Sequence, residues 1–86
     1  MDDVGKKISK KLHQFLSTVP NWHKYCFTAK NGDEICAASW YADESGFFVN
    51  GNLVFLEYYD GSIDTDIFDE SADWVQEVLN HYATYN

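Results

Sequence analysis

Three dipeptides, Asn31-Gly32, Asn50-Gly51 and Asp60-Gly61, punctuate the middle of this 86-residue chain. Each couples a residue that tolerates positive φ to a glycine, the pairing that a two-residue hairpin turn requires. The runs they separate, YCFTA, EICAASWY, FFV, NLVFLEYY and SIDTDIF, are rich in β-branched and aromatic residues. The middle of the chain therefore reads as an antiparallel sheet of four or five strands. A chain this short encloses one hydrophobic core, so residues 1–86 are a single domain.

Two-residue turns fix a register. Lys30 is expected opposite Asp33, which sets Phe27 opposite Cys36 and Cys26 opposite Ala37 and turns the two cysteines to opposite faces. Both thiols are then free, and with no apolar leader in MDDVGKK the expected setting is a reducing cytoplasm. The third turn sets Tyr59 opposite Ser62, Glu57 opposite Asp64, Phe55 opposite Asp66 and Val54 opposite Ile67. One sheet face, with Phe47, Val54, Leu56, Tyr58, Ile63, Thr65 and Ile67, is expected in the core. The other carries Phe48, Leu53, Phe55, Glu57, Tyr59, Asp64 and Asp66, an acidic strip interleaved with aromatics.

Helices are expected at both ends. Val4, Ile8, Leu12, Phe15, Leu16 and Val19 recur at spacings of three and four, against Lys6, Lys7, Lys10, Lys11 and Gln14 on the other side. Asp2 or Asp3 caps this segment over 2–19, and Pro20 ends it. Near the C-terminus Trp74, Val75, Val78, Leu79, Tyr82 and Tyr85 form a second stripe, with Asp69 or Ser71 as cap and Asp73, Gln76, Glu77, Asn80 and His81 facing outward. The fold class is α+β: a two-layer domain in the order helix, four or five antiparallel strands, helix.

Charge is unevenly spread. All six basic residues (Lys6, Lys7, Lys10, Lys11, Lys24 and Lys30) fall in the first thirty positions, there is no arginine, and residues 31–86 hold twelve acidic side chains with no Lys or Arg. Direct binding to DNA or RNA needs Lys and Arg to neutralise phosphates and is disfavoured. No stretch approaches the ~18 to 20 apolar residues of a membrane span. A basic protein surface, including that of a nucleic-acid-binding protein or nuclease complex, is the partner this charge favours.

The residues that could carry chemistry form no recognised constellation. The carboxylates of Asp60, Asp64, Asp66, Asp69 and Glu70 lack the spacing of a calcium loop. His13, His23, Cys26 and Cys36 lack zinc-ligand spacing, no glycine-rich phosphate loop is present, and no third group orients a Cys/His pair. Neither a cofactor nor a metal is expected, and the chain does not read as an enzyme.

The expected function is that of a small acidic interaction module, most concretely an inhibitor whose carboxylates occupy a basic nucleic-acid channel on a target. In size and charge the chain is similar to nuclease inhibitors, toxin immunity proteins and phage anti-CRISPR proteins, with no motif shared. The expected partner-binding residues are Glu57, Asp60, Asp64, Asp66, Asp69, Glu70, Asp73 and Glu77, with Phe55 and Tyr59 as anchors. The alternative is a homo-oligomer, such as a homodimer, that buries the second sheet face, with Phe48, Leu53, Phe55 and Tyr59, in its interface.

Overall fold

The computed structural model describes residues 2–40 and 44–85, and side chains for 8–40 and 44–84. The capping by Asp2 or Asp3, the faces assigned to Val4, Lys6 and Lys7, and the placements of Tyr41, Asp43 and Tyr85 lie outside these. The element order is α1 (Asp2–Leu16), β1 (Lys24–Thr28), β2 (Glu34–Trp40), β3 (Glu44–Val49), β4 (Asn52–Glu57) and α2 (Asp73–Tyr85). The strands form a four-stranded antiparallel meander in the order β1-β2-β3-β4. The α+β class and the presence of a helix at each end are as the sequence implies, and four strands form rather than five. The first helix ends short of the expected Val19, and the second begins at Asp73, beyond the expected caps Asp69 and Ser71.

Both helices dock on one face of the sheet. Leu12, Phe15, Leu16 and Val19 from the N-terminal segment and Trp74, Val75 and Val78 from α2 bury against Ile35, Ala37, Phe47 and Phe55. Aromatic edges join the layers: Phe47 lies 5.5 Å from Phe15 and 5.5 Å from Trp74, centroid to centroid. Such a set supplies most of the burial available to a domain this small. The first helix stops at Leu16, ahead of Pro20, because Thr18 and Val19 already donate to carbonyls three residues back while the Ser17 and Thr18 hydroxyls occupy the last carbonyls.

The turns explain why the expected register fails. Asn50 and Gly51 both have positive φ, 51° and 87°, so this pair makes the two-residue type I′ turn with Val49 opposite Asn52. At the other two sites only the glycine is left-handed. The Gly32 amide donates to Ala29 and the Gly61 amide to Tyr58, each closing a three-residue loop ended by a left-handed glycine. The register moves by one residue at both places. Cys26 therefore sits opposite Cys36, and Glu57 opposite Ile63. The expected pairs Lys30 with Asp33, Tyr59 with Ser62, Glu57 with Asp64, Phe55 with Asp66 and Val54 with Ile67 do not form.

A third displacement occurs inside the sheet. Phe48 pairs with Leu53 but Phe47 pairs with Phe55, leaving Val54 as the extra residue of a β-bulge. Gly46 makes room for it: a Cβ there would strike the Phe55 carbonyl oxygen. Beyond the bulge the faces of β4 exchange. Phe55 and Glu57, expected on the acidic face, turn toward the helices, with 0% and 7% of their surfaces exposed. Leu56, expected in the core, pairs with Gly46 on the opposite face.

After Glu57 the chain makes a single bridge to Ile63 and then runs through turns rather than a fifth strand. Three aspartates hold those turns by accepting from the amide two residues ahead: Asp60 from Ser62, Asp64 from Asp66, and Asp69 from Ser71. No described helix is long and apolar enough to cross a membrane.

Candidate functional site

The cysteines are joined. Cys26 and Cys36 form a disulfide, with Cα atoms 4.0 Å apart, on the sheet face that carries neither helix. The expectation of two free thiols on opposite faces is overturned, because the three-residue turn brings them into direct opposition. The disulfide removes one of the two grounds for expecting a reducing compartment. Among the described residues Cys26, Glu34 and Cys36 are the grouping that could hold a metal, but two of the three donors are committed to the disulfide.

Around that disulfide lies an uncovered apolar surface. Side chains alternate across each strand, so the pairs Cys36 with Phe48, Ala38 with Gly46, Phe48 with Leu53 and Gly46 with Leu56 share this face. The Trp40 and Phe48 rings pack 6.1 Å apart. Leu53 is exposed, and Phe48, Leu56 and Trp40 are half-buried. The buried side chains of both helices pack on the opposite face, against Ile35, Ala37, Phe47 and Phe55.

Carboxylates edge this surface. At one end Glu34 is opposite Thr28. At the other, Glu44 accepts from the Trp40 indole at 3.1 Å. Partial burial raises the pKa of the Tyr58 phenol, and the negative charges of Asp64, Glu44 and Asp66 raise it further. Those three carboxylates thus act on the same phenol. Lys24, on the outer strand, is the basic residue of this face among the described residues.

The expected partner-binding set is divided by the fold. Phe55 is interior, packed 5.0 Å from Phe68. Glu57 is interior too, accepting at 2.7 Å from Nδ1 of His13. Tyr59 projects from its turn, 76% exposed. Asp60, Asp66, Asp69 and Glu70 are exposed along the segment after β4, with Asp64 half-buried among them. Hydrogen bonds from the hydroxyl and then the amide of Ser62 hold the Asp60 carboxyl below the usual carboxylate range, and Ser71 does the same for Asp69. Asp73 and Glu77 lie on α2, where Glu77 reaches the Lys30 amide. His81, expected to face outward, instead stacks on Phe27 at 3.8 Å and bonds the Tyr25 hydroxyl at 2.7 Å.

Sequence reasoning passed over Trp40, Leu56, Glu34 and Glu44, all of which the fold gathers on the uncovered face. The missing signal was parity, which the bulge at Val54 conceals within the unbroken apolar run Leu53-Val54-Phe55-Leu56. No family model, no curated protein and no solved structure matches this chain.

Proposed function

We propose that the protein is a small interaction module that docks the uncovered sheet face onto a basic surface of another protein, as an inhibitor occupying a nucleic-acid-binding site does. The observation that carries this reading is an apolar centre, Phe48, Leu53, Leu56 and Trp40, edged by Glu34, Glu44, Asp64 and Asp66. An apolar patch edged by charge is the anatomy of an interface. Among the described residues no lysine pairs with that edge, and the one ion pair is His13 with Glu57, on the other side of the sheet. Carboxylates left open in this way steer a cationic partner and fix its orientation.

Charge also bears on the homo-oligomer. A second copy stacked on the same face would bring like-charged edges together in a protein of net charge −8. That arrangement is costly where charges meet directly. Size exclusion at low and high salt is expected to show a monomer, and a salt-insensitive dimer would favour the homo-oligomer.

The experiment is comparative capture. Glu44→Lys combined with Asp66→Lys reverses the edge without removing the turn bond that Asp64 makes. A basic protein captured by the wild type should be lost by this variant while the melting temperature stays within a few degrees. Undiminished capture of that protein by the variant would overturn the reading.

A further inference from the structure

On the helix-covered side, one row of the sheet is polar where its neighbours are apolar. Ser39 pairs with Ser45, and Ser45 with Glu57, and all three are at least nine-tenths buried. They line a cleft of about 290 Å³ beside the C-terminal end of α1, together with His13, Tyr58 and Tyr59. A second cleft, about 270 Å³, meets the first at His13, Glu57 and Gly61 and is lined also by Lys10. Glu57 is the shared wall.

One oxygen of that carboxylate is committed and the other is not. Oε2 accepts from Nδ1 of His13 at 2.7 Å, whereas Oε1 has no hydrogen-bond partner among the described residues. Among the described residues no fully buried side-chain polar atom lacks a partner, so Oε1 is not fully buried and lies open to the cleft that Glu57 lines. The Ser39 hydroxyl already donates to Asn21, which leaves its lone pairs to accept.

We propose that this cleft binds a primary ammonium group on a short flexible apolar stem. The lining offers what such a group needs: a carboxylate oxygen on a residue only 7% exposed and serine hydroxyls to accept its three N–H bonds. An anion would meet the carboxylate. A calcium ion would find one carboxylate where it needs six or more oxygens. Within the chain Lys10 is the nearby competitor, since it lines the adjoining cleft. The group's source is either a free alkylamine or a lysine side chain, and the chemistry is the same for both.

The test is an NMR titration of the full chain with n-butylammonium chloride, with n-butanol as the uncharged counterpart and Nα-acetyl-lysine amide as the peptide-borne side chain. Saturable shifts centred on His13 and Gly61 are expected with butylammonium, and binding of butanol should be weaker by roughly tenfold or more, the usual cost of losing a charge-assisted hydrogen bond. Glu57→Gln should weaken butylammonium binding by a similar factor. Because Glu57 is interior, a second variant, Ser17→Trp, obstructs the mouth of the cleft from an exposed position and should abolish the shifts without altering the melting temperature. Binding of the blocked lysine as well assigns the site to a lysine side chain. Its failure, with butylammonium still bound, assigns a free amine. Absence of saturable shifts in the wild type, equal binding of butanol, or undiminished binding in Ser17→Trp overturns the proposal.

Discussion

Cys26 lies directly across the sheet from Cys36, and the disulfide between them clips β1 to the centre of the sheet. Their separation of ten residues closes a loop whose entropy in the unfolded chain corresponds to about 3 kcal/mol. Replacing both with alanine should lower the urea-unfolding free energy by about that amount while leaving the far-UV spectrum native. Equal stability of the two forms would mean that the bond does not constrain the unfolded chain.

Gly46 sits against the bulge with no room for a side chain, since a Cβ would meet the backbone oxygen of Phe55. Gly46→Ala must therefore shift the β3–β4 ladder, at a cost of about 1–3 kcal/mol, as overpacking does. Thermal unfolding reads this directly. Gly32→Ala makes the comparison informative, because Gly32 faces open space and is constrained by its positive φ alone.

Tyr58 should titrate above an ordinary phenol, first through its partial burial and then through Asp64 and Glu44. The raised pKa means that the folded state holds the proton more tightly. The associated stability is full below the ordinary phenol range and is lost as pH rises through the folded value. Carbon-13 NMR of the tyrosine rings should show the Tyr58 midpoint moving down in Asp64→Asn, a change that keeps an acceptor for the Asp66 amide. An unmoved midpoint would place Asp64 away from the hydroxyl.

Asp60 and Asp69 run the opposite way. Serine hydrogen bonds favour their ionised forms, so the stability they lend is present above the ordinary aspartate range and disappears as pH falls through their lowered values. In Ser62→Ala and Ser71→Ala the corresponding carboxyl should titrate closer to the usual value near about 3.9. Carboxyl carbon shifts followed from neutral to acid pH provide the measurement.

The helices were legible because their spacing is redundant: Leu12, Phe15 and Leu16, like Trp74, Val75 and Val78, repeat one stripe over several turns, and all six are buried. The turns were legible only in place. Asn31-Gly32 and Asn50-Gly51 are the same dipeptide, yet Asn50 adopts positive φ and Asn31 does not. One residue of register is enough to exchange the faces of a strand. At the Asn31-Gly32 turn that step moved the disulfide pair into contact, and the bulge at Val54 carried Glu57 from the surface to His13. The carboxylates were correctly read as unneutralised by later lysines, but Asp60, Asp64 and Asp69 also have local work in holding turns, which their spacing two residues before an amide donor only hints at.

The central claim is that the apolar sheet face and its carboxylate edge form a docking surface for a basic protein. Its most direct test is the dissociation constant of the purified complex with the captured partner, measured at low and at physiological salt for the wild type and for Glu44→Lys with Asp66→Lys. The account predicts that salt weakens the wild-type complex and that the charge reversal weakens it by roughly tenfold or more at low salt, as loss of steering and charge complementarity requires. A constant unchanged by both salt and charge reversal would contradict it.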